Sequence, residues 1–371
     1  MRLSEWKKVK LGDLCQINKN AYSVSEKWKF VNYLDTGNLT EDQIQQLQYI
    51  ETEKDKLPSR ARRKVKHDDI LYSTVRPNQH HYGIIKEIVP NMLVSTGFAV
   101  ISVDKSKADS DFIYYYLTQT EIIETLHVIG EQSTSAYPSI KPSDITNLEL
   151  FLPPLEEQKE ISRVLRLLDK KIANNKKINH HLEQIGTIIW QERFNNQVPN
   201  GVLGDIASIS SGKRPPIKTT EPTDGVKIPI IGASSIMGYT DKILYNHKIL
   251  VTGRVGTHGI IQRYQRSCWP SDNTLVLQSD FYEFVYQVLK HIDFKTLNRG
   301  STQPLITQTD LNKSELYIPS ISELLDFETL VGTQMKQYEQ NNLENEILFA
   351  LRDTLLPKLL SGEITINQAA K

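Results

Sequence analysis

Glu149-Leu150-Phe151-Leu152-Pro153 is a short alternation of polar and apolar residues stopped by proline, and Glu315-Leu316-Tyr317-Ile318-Pro319 writes it again. Period-two alternation predicts a strand, and proline, which cannot donate to a ladder, ends it. Behind each proline the apolar period lengthens to three and four. From about Glu156 to Arg193 the seam is Ile161, Leu165, Leu168, Ile172, Leu182 and Ile189. From about Ser322 to Leu360 it is Phe327, Val331, Tyr338, Leu348 and Leu355. Both runs predict long helices with a coiled-coil-like face. Asn175 and Asn179 interrupt the first seam; Asn341 and Asn345 interrupt the second, each exactly 166 residues later. A buried polar seam residue costs stability and fixes register, because Asn prefers to face Asn. The two helices are therefore expected to pack on each other antiparallel, as a rod of about 60 Å at 1.5 Å per residue.

Working outward, the rest of the chain also repeats. Leu11-Gly12-Asp13-Leu14 returns as Leu203-Gly204-Asp205-Ile206. Ile70-Leu71 with Ser73, Thr74 and Arg76, then Gly83-Ile84-Ile85, returns as Ile249-Leu250 with Thr252 and Arg254, then Gly259-Ile260-Ile261. Ser110-Asp111-Phe112 and Ser279-Asp280-Phe281 each open a helical, aromatic-rich run, with Ser or Asp as expected N-caps. The turn formers between Phe194 and Val202 mark the central boundary. The expected order is a domain over 1–153, a helix over 154–197, a second domain over 198–319, and a helix with a tail over 320–371. The fold class is α+β: two tandem α/β domains separated by two long helices.

The composition sets limits. Of 371 residues, 39% are apolar and 24% charged, and 44 Lys and Arg balance 44 Asp and Glu. That excludes an overall cationic coat but not a local basic face. Cys15 and Cys268 form no CxxC pair, so neither a zinc site nor a disulfide framework is expected. No stretch is long and apolar enough to span a membrane, and the first ten residues are not a signal peptide. Gly212-Lys213 lacks the earlier glycine and the following Ser or Thr of a phosphate loop. No dinucleotide turn, HExxH or Asn-Pro-Pro-aromatic element occurs, and the His pairs at 80–81 and 180–181 lack ligand partners. No catalytic and no metal residue is assigned.

What remains is chemistry suited to nucleic acid. Base edges are read by Arg, Asn, Gln, Ser and Thr, and phosphates are held by Lys, Arg and hydroxyls. The first half offers a basic loop with Arg60, Arg62, Arg63 and Lys64, then Ser73, Thr74, Arg76, Asn78, His80 and Tyr82, and also Ser133 and Thr134. The second half offers Lys213 and Arg214, then Thr252, Arg254, Thr257 and His258, then Ser271 and Asn273, then Arg299, Ser301, Thr302 and Gln303. Equivalent loops differ between the halves, so the two copies are expected to read different short sequences.

The residues resemble the specificity (S) subunits of type I restriction–modification systems. The resemblance rests on Trp6 with Leu11-Gly12-Asp13, on Asp69-Ile70-Leu71-Tyr72-Ser73-Thr74-Val75-Arg76, and on Leu152-Pro153-Pro154-Leu155-Glu156-Glu157-Gln158. In the second half it rests on Pro229-Ile230-Ile231-Gly232-Ala233, Pro270-Ser271-Asp272-Asn273-Thr274, Gly300-Ser301-Thr302-Gln303 and Leu355 to Gly362. It implies two target-recognition domains related by pseudo-twofold symmetry, each reading half of a bipartite site on double-stranded DNA. It implies a non-catalytic cytoplasmic subunit that docks two methyltransferase subunits, with restriction subunits able to join. S-adenosylmethionine, ATP and Mg are then expected on those partners and none on this chain. The departure is Ile318-Pro319-Ser320-Ile321, where the first half has Leu152-Pro153-Pro154-Leu155. Two alternatives stand beside this reading: a scaffold without sequence preference, and a fusion that itself cuts or methylates DNA.

Overall fold

Both alternating stretches form strands, and each is followed by a helix of 40 residues. The computed structural model describes residues 6–133, 137–255, 259–297 and 305–369. It divides into two units, Met1–Ala173 with Asn345–Lys371, and Asn174–Glu344. Each long helix thus contributes residues to both units.

In chain order the first unit holds β1 (Lys7–Lys10), β2 (Cys15–Ile17), β3 (Phe30–Leu34), β4 (Leu39–Thr40), β5 (Gln43–Ile44), β6 (Gln48–Glu51), β7 (Ala61–Lys64), β8 (Ile70–Ser73), β9 (Tyr82–Ile84), β10 (Met92–Ser95) and β11 (Phe98–Val103). Then come α1 (Ser110–Leu117), α2 (Thr120–Glu131), α3 (Pro142–Thr146), β12 (Glu149–Leu152) and the start of α4 (Leu155–Phe194). The second unit holds β13 (Gly201–Val202), β14 (Ser208–Ser211), β15 (Ile228–Ile231), β16 (Ile236–Thr240), β17 (Ile249–Gly253), β18 (Gln262–Tyr264), β19 (Trp269–Pro270), β20 (Thr274–Gln278), α5 (Tyr282–His291), α6 (Gln308–Asn312), β21 (Glu315–Leu316) and most of α7 (Ile321–Leu360).

The duplication is explicit in the topology. The first unit has an antiparallel sheet in the order β2-β11-β8-β9, and the second repeats it as β14-β20-β17-β18. A second sheet in each contains one parallel pair, β3 with β10 and β15 with β19. Each domain also pairs its entry strand antiparallel to its exit strand, β1 with β12 and β13 with β21.

The helices meet the expected seam. Ile161, Leu165, Leu359 and Leu360 are buried in the first unit's core with Phe112 and Ile145. Phe327 and Val331 are buried in the second unit's core with Trp190 and Phe284. Ile172 is buried; Leu168, Leu182, Tyr338 and Leu348 are half-buried at the edge of the seam. In the second unit Asn341 Nδ2 donates to Asn179 Oδ1 at 2.8 Å, and Asn179 Nδ2 donates to Asn342 Oδ1 at 2.8 Å. Asn175 Nδ2 donates to Glu344 Oε2 at 2.7 Å. All four asparagines are buried, and the Asn341–Asn179 bond is the Asn-to-Asn contact across the seam that the spacing predicts. Ser320 caps α7 through a reciprocal bond pair with Glu323, and Gly362, at φ +73°, follows its last turn. The helix pairing is antiparallel in each unit: Arg193 meets Asp326 in the second and Asp169 meets Arg352 in the first.

The domain helices dock on this pair by a buried cation, and the two units build it differently. In the first unit Arg166 of α4 bonds Asp111 of α1 at 2.7 Å and Asp42 at 3.1 Å. Its guanidinium lies 5.0 Å from the Tyr114 ring and 5.6 Å from that of Tyr115. In the second unit the helix position 166 residues on is Gly332. The cation is instead Arg263 of β18, bidentate to Glu283 of α5 at 2.7 and 2.8 Å, with side chains only 5% and 3% exposed. Tyr282, Tyr286 and Tyr338 surround it. Arg263 pairs with Leu250, which faces the helix-side core, and Ile84 pairs likewise with Ile70. So Ile84 and Arg263 share one strand position, while Arg166 and Gly332 share one helix position. The charge has changed chains of support without leaving the junction.

The helix cap has moved in the same way. Asp109 caps α1 by accepting from Phe112 N, and Ser162 of α4 donates to that carboxylate. The second helix begins at Tyr282, not at Ser279-Asp280-Phe281 as the repeat suggested. Phe281 stands at its cap position, and Ser279 Oγ donates to Ile206 O instead. The free amides of Glu283 and Phe284 are met by Glu328 of α7, 166 residues after Ser162. Burial pushes the Glu328 carboxyl up to about 7, against the lowering pull of those two amides; Glu283 adds to the rise and Lys248 opposes it.

Two outcomes are expected. Arg263→Ala leaves Glu283 buried and unpaired, so the second unit loses about 3–5 kcal/mol in denaturant unfolding. Gly332→Arg, placed where the glycine faces Glu283 Cγ at 4.0 Å, should restore much of that loss. An equally unstable double variant would refute the shared junction. For Glu328 the folded state binds the proton more tightly than the unfolded chain. Its contribution is therefore full below about pH 4.5 and is lost as pH rises through 7. The thermal midpoint should fall between pH 5 and pH 8, and Glu328→Gln should flatten that slope.

Candidate nucleic-acid interface

The loops at one end of each repeated sheet carry the polar residues singled out from sequence. In the first unit, Thr74 N donates to Gly97 O at 2.8 Å, and Ile140 N donates to Thr74 O at 2.8 Å. Arg76 N donates to Pro138 O, and Thr96 N to Arg60 O, both at 2.9 Å. Main-chain bonds therefore tie Arg60, the 96–97 turn, Thr74, Arg76 and the segment from Tyr137 into one strip. In the second unit, Arg254 N donates to Asn273 O at 2.8 Å and Ile306 N to Arg254 O at 3.0 Å. Lys213 N donates to Pro270 O at 3.0 Å, and the Trp269 indole donates to Lys213 O at 2.7 Å. Gly212 makes this possible: a Cβ there would lie 2.1 Å from Ser271 O.

These bonds correct the sequence alignment of the two loops. Thr74 and Arg254 hold the same place, since each bonds the turn before the paired strand and accepts from an isoleucine, Ile140 or Ile306. The bridges Val75↔Ser139 and Val255↔Leu305 agree. Arg76 therefore stands two residues beyond the position of Arg254. The readers have diverged in register as well as in residue type.

Burial sorts the candidates. Arg60 is exposed, Arg62 half-buried, and neither forms an ion pair among the described residues. The expected basic loop is in fact the turn at Arg60 followed by β7, which pairs antiparallel with β10. Arg63 is half-buried in that strand, its Nε lacks a partner, and burial holds its pKa down. Lys64 bonds Glu26 at 2.5 Å and lies over the Trp28 ring, so it serves the fold. Ser73 is buried and donates to Val75 O at 2.8 Å; the Thr74 hydroxyl donates to Gly97 O at 2.9 Å. Tyr82 is buried between Tyr72 and Tyr114, with its hydroxyl pKa raised by burial. Ser73 and Tyr82 thus leave the contact set for the core. So do Thr252 and Ser271, fully buried, with no bond to either hydroxyl among the described residues.

Asn78 is exposed, and His80 bonds Glu41 at 2.8 Å. Ser133 is half-buried, 3.5 Å from the Ser139 hydroxyl. Lys213, Arg214 and Asn273 are exposed; Arg254 is half-buried, its Nε covered and unpaired. Thr134, Thr257, His258, Arg299, Ser301, Thr302 and Gln303 lie outside the described residues. The sequence reading passed over Gln79 and Tyr137, both exposed on this strip. Gln79 lies between Asn78 and His80, and an aromatic before Pro138 is the available signal for Tyr137.

Elsewhere a cleft of about 460 Å³ in the first unit is lined by Asp13, Lys19, Asp68, Asp104, Lys105 and Lys107. Its signs are mixed, with Lys105 on Asp68 and Lys107 on Asp104, so it offers no net cationic face. Among the described residues no group of three or more His, Cys, Asp or Glu could hold a metal ion, and no helix is long and apolar enough to cross a membrane. Cys15 and Cys268 are buried thiols, raised by burial to about 11 and about 12.

The family model for the type I restriction modification DNA specificity domain matches residues 3–184 and again 198–354. The chain belongs to that family. It is similar to the type I restriction enzyme HindI specificity subunit of Haemophilus influenzae, at 24% identity over 98% of this chain and 100% of that protein. It is also similar to the MjaIX specificity subunit of Methanocaldococcus jannaschii, at 24% identity over 75% of this chain and 74% of that one. The crystal structure of the type I restriction–modification S subunit from M. genitalium shares its fold, with a TM-score of 0.60 at 17% identity over 96% of each chain.

Exposed, unpaired cations on a DNA-specificity domain should act on the phosphate backbone. Arg60→Ala and Lys213→Ala are each expected to weaken DNA binding by the assembled complex on all sequences alike, lowering the slope of log affinity against log salt by about one. Lys64→Ala should instead lower the melting temperature. A change in the base preferred, with an unaltered salt slope, would exclude the phosphate role for Arg60 and Lys213.

Proposed function

We propose that this chain is the DNA sequence-recognition subunit of a type I restriction–modification complex, with each unit reading one half of a bipartite site. The observation that carries the reading is the repetition of one sheet order beneath two loop strips that differ in residue and register. One scaffold with two diverged edges suits two different half-sites. The chain supplies no catalytic step; methylation and cleavage belong to partner methyltransferase and restriction subunits, which bring S-adenosylmethionine, ATP and Mg. Two methyltransferase subunits suit a chain with two repeats. Within the second unit, Ile178, Ile185 and Ile188 are 45%, 43% and 52% exposed on one face of α4, and we assign that face to methyltransferase docking. The helix pair is proposed to set the gap between half-sites, with its asparagine seam fixing the register. The recognition domains remain as read from sequence, 1–153 and 198–319, with 154–197 and 320–371 as spacers.

The test is selection from random duplexes with the chain assembled with its methyltransferase. A bipartite motif with a fixed gap is expected. Replacing Arg214 or Asn273 should change one half and leave the other. A single undivided motif would overturn the two-reader division, and no motif would leave a scaffold without sequence preference.

A further inference from the structure

The segment Arg76-Pro77-Asn78-Gln79-His80 is built as a fixed hook. Residues 77–79 form one 3-10 turn, and the residues on either side are left-handed: Arg76 at φ +48° and His80 at φ +57°. Neither is glycine, so each is strained and persists only where its surroundings over-determine it. Those surroundings are present. Arg76 N bonds Pro138 O; Gln79 N bonds Arg76 O; His80 N bonds Pro77 O. Pro77 is buried, the His80 ring is held by Glu41 and stacks on Tyr82, and the Arg76 guanidinium lies 5.1 Å from the ring of Tyr137. All the strain holds two residues outward. Asn78 and Gln79 are exposed, and their side-chain amides make no hydrogen bond among the described residues. Two adjacent free carboxamides on a fixed turn, beside a guanidinium, present donors and acceptors to solvent in a set geometry.

We propose that Asn78 and Gln79 are the base-reading residues of the first unit, and that they read adenine. A carboxamide presents one donor and one acceptor, the complement of adenine N6 and N7 in the major groove, and it cannot make that pair with guanine. Arg76, stacked on Tyr137, holds the adjoining phosphate or the neighbouring base edge. The inference rests on the DNA-recognition reading above and deepens it. With Thr74 matched to Arg254, the second unit's sequence at this place is Gly256-Thr257-His258-Gly259, without the carboxamide pair.

The experiment sequences the sites bound by the methyltransferase-containing complex for the unaltered chain, Asn78→Ala, Gln79→Ala and Gln79→Glu. Loss of discrimination by roughly 10- to 100-fold is expected at one or two A·T pairs of a single half-site, with the other half-site and the gap unchanged. Gln79→Glu, which replaces a donor by an acceptor, should shift preference from adenine toward cytosine at its position. An unchanged profile for Asn78→Ala and Gln79→Ala, with a bipartite motif for the unaltered chain, overturns this assignment and leaves the two-reader function intact. So does relaxation confined to the second half-site, or at G·C pairs. No motif from the unaltered chain would instead sink the DNA-recognition reading itself.

Discussion

A buried guanidinium between a domain helix and the long helix pair is the contact on which each unit depends. It is costly to desolvate, and it is tolerated because an acidic residue in the first turn of the domain helix and two or more tyrosine faces surround it. Removing Arg263 would strand Glu283 in a medium that cannot solvate a charge, whereas Asp111 would keep Lys86. The domain helix, in turn, carries the sheet, and the sheet ends carry the loops. Precision at the loop strip is inherited from this junction.

The duplicated chain shows that such a junction can be kept while its residues are exchanged. Arg166 with Ile84 in one unit becomes Gly332 with Arg263 in the other. Asp109 supported by Ser162 becomes Phe281 relieved by Glu328. In each case the electrostatic requirement, a cation beside the helix's first acid and an acceptor for its free amides, is met from a different element. What is preserved is the field at the helix N-terminus, not the position that generates it.

This also explains which parts were legible in sequence. Helices and their seam depend on local periodicity, so Ile161, Leu165, Phe327 and the four asparagines could be placed from spacing alone. The repeated strands could be matched for the same reason. The cation junction could not, because it joins residues far apart in the chain and has moved between the copies. Burial of hydroxyls was equally hidden. Ser73, Thr252 and Ser271 have the composition of contact residues, yet all three side chains are buried, and that of Ser73 serves the bend. The two-residue offset between Arg76 and Arg254 appears only in main-chain bonding, to which residue identity is a poor guide.

The helix that closes the chain has a consequence for synthesis. Leu359 and Leu360 lie in the core that also contains Trp6, Leu11 and Ile161, so the first unit is assembled from segments on either side of the second. The second, Asn174–Glu344, is one uninterrupted stretch. Domains ordinarily fold as they emerge, the N-terminal one first. Here the order is inverted: the unit begun first must wait, its core open, for residues made after the second unit, which can close on its own. Premature termination near the end of this chain would therefore damage the reader at its beginning.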